Sequence, residues 1–202
     1  MKPFAESCEQ NKDVILKVLQ QHFSELENIL EIGTGTGQHA VYFSSAMPHL
    51  QWTCSDLNEN LDGIEAWMSE SNLENLSGPI ELDVNKPIWD VLQVDGVFSA
   101  NTVHIMSWPS VEKMFTGIGR CLKPQGIFCL YGPFNYDGSF SSESNARFDQ
   151  WLKARDARSG VRDFEALNKQ AAEQDMILLE DYEMPANNRI LVWQKAKVIE
   201  FS

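Results

Sequence analysis

Positive charge is what this sequence has least of: 16 Lys and Arg stand against 29 Asp and Glu, a formal net charge of -13. A surface of that sign repels a polyphosphate backbone unless its few cations gather on one face, so nucleic acid is not an expected partner. Cysteine is scarce as well. Cys8, Cys54, Cys121 and Cys129 form no CxxC pair and stand at no zinc-ligand spacing with histidine, so no metal site is expected. They read as reduced packing residues of a cytoplasmic protein. Long apolar runs are missing too: none approaches the roughly 18 residues that span a bilayer, and no basic, apolar leader opens the chain. These absences predict a soluble intracellular protein with no membrane partner. The 202 residues, 43% of them hydrophobic, suit one domain over 1–202 with a single sizeable core, as a monomer or a homodimer.

What is present is an alternation of strand and helix. Val14, Ile15, Val18, Leu19 and Phe23 form one apolar stripe at helical spacing within an N-terminal helical segment, 1–26. Asn28 to Ile32 reads as a short buried strand that runs into glycines, after which Ala40, Phe43 and Met47 recur at helical spacing. Further strands are predicted at 51–55, 80–83, 94–100 and 127–131. Leu61, Ile64 and Met68 mark one intervening helix. Val111, Met114, Phe115, Ile118, Cys121 and Leu122 mark another, with Ser107 and Pro109 as its start and Pro124-Gln125-Gly126 as its stop. Such alternation calls for an α/β fold with a mostly parallel sheet and helices on both faces. From Gly132 to about residue 173 the pattern changes to loop chemistry and two helices around Trp151 and Leu167, a cap-like insertion. Ile177 to Leu179 and Ile190 to Trp193 then form an antiparallel C-terminal strand pair.

Chemistry concentrates in Glu31-Ile32-Gly33-Thr34-Gly35-Thr36-Gly37. Glycines at alternate positions between a strand and a helix permit positive φ and bring bare backbone against a ligand, with the helix N-terminus beyond them. About 20 residues further on, at the end of the second strand, Asp56 is placed to accept hydrogen bonds from ribose hydroxyls. Together these features indicate a nucleoside cofactor. Two cofactors compete. A dinucleotide turn reads GxGxxG or GxGxxA, and the sixth position counted from Gly33 is Gln38, too large for the close packing that position serves. The spacing E-x-G-x-G-x-G resembles instead that of class I methyltransferases, which bind S-adenosylmethionine and release S-adenosylhomocysteine. In that reading Glu31, Gly33, Thr34, Gly35 and Gly37 hold the methionine end. Asp56 and Leu57 hold the ribose region, Asp83 and Val84 the adenine, and Asn101, at the end of the fourth strand, contacts cofactor and acceptor alike.

The resemblance extends over almost the whole chain. Lys2-Pro3-Phe4-Ala5-Glu6-Ser7-Cys8-Glu9-Gln10-Asn11, Asn101-Thr102-Val103-His104-Ile105, Gly132-Pro133-Phe134-Asn135-Tyr136, Ser142 to Asp149, Val161 to Glu165 and Met184 to Arg189 resemble the small family that includes methyltransferase-like protein 26. It departs at Gln10, where that family's pattern has arginine. The resemblance implies a Rossmann-like class I methyltransferase fold with a seven-stranded sheet and S-adenosylmethionine binding, and leaves the substrate open.

Methyl transfer mainly needs alignment of a nucleophile and exclusion of water. Where a proton must leave, His104 is the candidate base, because imidazole titrates near neutrality, and Asn101 its candidate catalytic neighbour. Tyr131, Asn135, Asn145, Arg147, Trp151 and Arg162 gather amide, aromatic and guanidinium groups beyond the fifth strand, and predict a small, polar, anionic acceptor. The alternatives are a cofactor-binding protein without turnover, a protein methyltransferase and a dinucleotide oxidoreductase.

Overall fold

The computed structural model describes residues 2–197; Met1 and 198–202, which the single-domain expectation includes, lie outside the described residues. In chain order the elements are α1 (Glu6–His22), β1 (Asn28–Ile32), α2 (Gln38–Ala46), β2 (Gln51–Asp56), α3 (Leu61–Ser71), β3 (Leu76–Glu81), β4 (Val94–Ala100) and α4 (Trp108–Cys121). There follow β5 (Leu122–Gly132), β6 (Phe134–Asn135), α5 (Glu143–Arg155), β7 (Arg162–Asp163), α6 (Phe164–Ala172), β8 (Met176–Met184) and β9 (Asn188–Lys195). Among the described residues no helix is long and apolar enough to cross a membrane.

Seven strands form one sheet in the order β3-β2-β1-β4-β5-β9-β8. The first five are parallel, β9 runs antiparallel to β5, and β8 antiparallel to β9. Strand order reverses between β1 and β4, which opens a crevice at their carboxyl ends, where open α/β sheets bind ligands. This is the Rossmann-like methyltransferase arrangement expected from the sequence. The apolar stripes dictate the layers. Ile15 and Leu19 of α1, Phe43 of α2 and Ile64 of α3 pack with Trp52 and Phe98 on one face. Val111, Phe115 and Ile118 of α4 and Leu167 and Ala171 of α6 pack with Phe128 and Trp193 on the other. Each fully buried large apolar side chain contributes about 2 to 3 kcal/mol.

Two expected boundaries move. The third strand is Leu76–Glu81, not 80–83, and Asp83 lies beyond its end. As an edge strand paired with β2 alone, it buries only Leu76 and carries a polar sequence, so hydrophobicity does not mark it. Pro124-Gln125-Gly126 does not stop α4, which ends at Cys121; the tripeptide lies inside β5, where Gln125 takes φ 66° and the ladder with β4 shifts register. Within 132–173, α6 belongs to the sheet's helical layer. The segment standing outside the layers is β6, α5 and β7, its base closed by the pairs Phe134 with Arg162 and Asn135 with Asp163.

Candidate active site

The glycine turn joins β1 to α2 with φ of 73°, 66° and 93° at Gly33, Gly35 and Gly37, and the three glycines serve different ends. A Cβ on Gly33 would stand 2.2 Å from Thr102 Cγ2, so this position lets β4's loop close on the turn. One on Gly35 would meet nothing within 4 Å, because Gly35 faces the open cleft. One on Gly37 would stand 3.0 Å from Trp67 Cβ, so Gly37 lets α2 pack on α3; it is not among the residues that line the cleft.

Most of the turn's N–H groups are committed to protein. Gly33 and Thr34 donate to the Ser55 carbonyl at 3.0 and 3.1 Å, Gly35 to Asp56 Oδ2 at 2.7 Å, Gly37 to the Thr34 carbonyl at 3.3 Å, and Gln38 to Thr36 Oγ1 at 3.3 Å. Asp56 is buried at the end of β2 and also accepts from Leu57 N–H and Asn60 Nδ2, both at 2.7 Å. With three of about four lone-pair lobes used, the carboxylate keeps one for a ligand. Glu31 is buried behind the turn, where it accepts from Trp52 Nε1 at 3.0 Å and Thr34 Oγ1 at 3.2 Å. Burial raises its pKa to about 8, so it carries a proton at neutral pH.

These residues wall a cleft of about 510 Å³ together with Leu57, Asp83, Val84 and Asn101. Asp83 is both turn and wall: its Oδ1 accepts the Asn85 N–H at 2.9 Å while it faces the cleft. A second cavity of about 670 Å³ adjoins the first, and Ser7, Asn101 and Ile105 line both. Asn101 takes the left-handed conformation, φ 59°, and its N–H donates to the Tyr131 carbonyl at 2.9 Å. The second cavity brings together Tyr131, Asn145 and Trp151 of the expected acceptor set with His104, the candidate base. It leaves out Asn135, Arg147 and Arg162. Asn135 is buried against the Val161 carbonyl, 3.5 Å away, and Arg147 is exposed beside Glu143, 3.7 Å away. Arg162 turns its guanidinium onto the carbonyls of Val103, Met106 and Arg158 and so pins the loop that carries His104. No lysine, arginine or carboxylate lines the second cavity, so the argument for an anionic acceptor loses its cations. Burial, helped by the Arg162 charge, lowers the His104 pKa to about 4, and its Nδ1 is sealed without a partner.

The first turns of α1 were not anticipated at the site. Ala5, Ser7 and Cys8 line the cleft, and Ser7, Gln10 and Asn11 line the second cavity. Gln38 holds this segment down: its Oε1 accepts the Ala5 N–H at 2.6 Å and its Nε2 donates to Glu9 at 3.0 Å. Further out, Trp67 Nε1 donates to the Pro3 carbonyl at 2.7 Å and Lys2 lies 3.5 Å above the Trp67 ring. His39 is buried with Nε2 2.7 Å from Asn11 Oδ1, tying α2 to α1, and it too faces the cleft. The one signal in the sequence was Gln38, a long amide where a dinucleotide turn has glycine or alanine.

A family model described as a protein of unknown function, DUF938, matches residues 2–195. The chain belongs to the DUF938 family. Among solved structures, this DUF938 chain resembles the S-adenosylmethionine-dependent methyltransferase SibL in its apo form, at 16% identity and a TM-score of 0.79, over 95% of this chain and 56% of that one. It also resembles an O-methyltransferase family 2 protein from Planctomyces limnophilus, in complex with apigenin, at 13% identity and a TM-score of 0.82, over 94% of this chain and 58% of that one. The DUF938 chain thus spans a little over half the length of these structures. Over 97 residues it is 28% identical to the N-succinylglutamate 5-semialdehyde dehydrogenase of Acinetobacter baylyi, a stretch that is 44% of this chain and 20% of that protein.

Proposed function

We propose that this chain is an S-adenosylmethionine-dependent methyltransferase acting on a small molecule held in the second cavity. One observation carries the reading: among the described residues the cleft beside the glycine turn is lined by the acidic side chains Asp56, Glu59 and Asp83, with Glu31 protonated behind them, and by no lysine or arginine. S-adenosylmethionine presents a sulfonium and an ammonium, which suit that field, whereas a dinucleotide presents a pyrophosphate, which it repels. Of the N–H groups at the turn, those of Gly33, Thr34, Gly35, Gly37 and Gln38 are already bonded to Ser55, Asp56, Thr34 and Thr36, which leaves fewer of them for a pyrophosphate. The fold shared with SibL supports the same choice.

When bound, the cofactor supplies an activated methyl group. The chain's own residues do the rest. Asp56 keeps a lobe for a ribose hydroxyl, Leu57 and Val84 offer apolar surface to the base, and Asp83 offers an acceptor to its exocyclic amine. Asn101 stands where cleft and cavity meet and orients the acceptor, while Ser7 and the start of α1 exclude water from above. His104, held neutral by burial and the Arg162 charge, accepts a hydrogen bond from the acceptor and orients it where a proton must leave. The likeness to the methyltransferase-like protein 26 family is proposed to reflect common membership. The four free thiols fit action in the reducing cytoplasm, as a monomer or a homodimer. Melting curves with S-adenosylhomocysteine and with NADH test the reading. Protection by the first alone is expected, and protection by NADH alone, or by neither, overturns it.

A further inference from the structure

Resting on that reading, we propose that the acceptor is an uncharged, flat aromatic molecule methylated on a ring hydroxyl. The second cavity has room for it, about 670 Å³, and presents no formal charge: its titratable groups are His104 and Tyr131. Burial lowers the first and raises the second, so both are neutral at physiological pH. An acceptor bearing a carboxylate or an ammonium would lose hydration there without a counter-ion, at a cost of several kcal/mol.

The walls suit a ring. Phe148 and Trp151 stack at 5.8 Å and 15°, and the His104 ring meets Phe148 edge-on at 5.2 Å and 76°. Pro133 and Pro185 add rigid apolar surface. Such walls favour a planar partner in offset or edge-to-face contact. The polar groups are amides, from Asn101, Asn145 and Asn188 among others; Asn145 and Asn188 donate their Nδ2 to Ser141 Oγ and to the carbonyls of Asn187, Pro185 and Ala186, which leaves their Oδ1 atoms to accept from hydroxyl groups on a ring's edge. Asn101 also lines the cofactor cleft, so a hydroxyl held beside it faces the methyl group.

The charge balance favours oxygen. The O–CH3 bond forms as the CH3–S bond breaks and its electron pair returns to sulfur. The hydroxyl donates a hydrogen bond to Nε2 of His104, the ring nitrogen not sealed against protein, and its proton leaves to solvent as the new bond forms, so the product in the cavity is a neutral ether. Methylation of a tertiary ring nitrogen would leave a fixed cation with no carboxylate lining the cavity.

The test uses the full chain with S-adenosylmethionine and measures S-adenosylhomocysteine release. The acceptors are hydroxycoumarin, naphthol and hydroxyquinoline, each beside its carboxylate-bearing and aminomethyl-bearing analogue. At least one neutral member is expected to turn over with kcat/KM tenfold or more above its charged counterparts. Gln10→Arg, at the exposed rim of the cavity, is expected to move that preference tenfold or more toward the carboxylate. His104→Gln is expected to lower kcat a hundredfold or more with cofactor affinity unchanged. Preference for a charged analogue, or no turnover of any neutral member by a chain that binds S-adenosylhomocysteine, overturns the acceptor class. Failure to bind S-adenosylhomocysteine overturns the methyltransferase reading instead.

Discussion

Two backbone positions carry the site's geometry, and both have φ above zero. Gly33→Ala forces a methyl group to within 2.2 Å of Thr102 and a side chain into φ 73°. It should cost about 1 to 3 kcal/mol of stability and weaken cofactor binding at least tenfold, read by denaturant unfolding and calorimetry. An unchanged affinity would mean that the turn does not touch the ligand. Asn101 at φ 59° separates backbone from side chain. Asn101→Gly should keep the fold while lowering turnover, and Asn101→Ala should lose roughly 1 kcal/mol more stability than glycine in thermal melts. How far such residues are legible from sequence follows from how local their jobs are. Asp56 was legible because strand ends and glycine spacing place it. Arg162 was not, since its guanidinium serves carbonyls at Val103 and Met106, nearly sixty residues away, and nothing local distinguishes that from a ligand-binding arginine.

Among the elements, the first turns of α1 act as the lid of the cleft, and Gln38 is the clamp. Gln38→Ala removes the partners of Ala5 N–H and Glu9, worth about 1 kcal/mol each, so cofactor affinity should fall roughly tenfold. Hydrogen exchange over residues 2–9 should quicken in that variant while β1, β4 and β5 stay protected. Equal quickening across the sheet would show that Gln38 serves general stability instead. Strand legibility tracks burial. β1 and β4 were placed to the residue because both faces of the sheet cover them, whereas β3 lies at an edge with polar faces and had no pattern to read.

For the whole molecule, three buried groups shape stability against pH. His39 and His104 fall to about 4 from the ordinary histidine value of 6.5, so their contribution is full above 6.5 and is lost as pH falls toward 4. Glu31 rises to about 8 from 4.5, so its contribution is full below 4.5 and is lost as pH rises toward 8. Between 4.5 and 6.5 two groups pull stability upward against one, and above 6.5 only Glu31 acts. Counting these groups, stability should peak near pH 6.5, and Glu31→Gln should flatten the decline toward pH 8 in urea unfolding series. In the proposed reading the acidic side chains of the cleft, Asp56, Glu59 and Asp83, favour the sulfonium cofactor. Calorimetry of the intact chain at neutral pH, with S-adenosylmethionine and with NADH in separate titrations, tests that most directly. One site's worth of heat from S-adenosylmethionine and none from NADH is the predicted result; silence from the sulfonium, or heat from the dinucleotide alone, would contradict it.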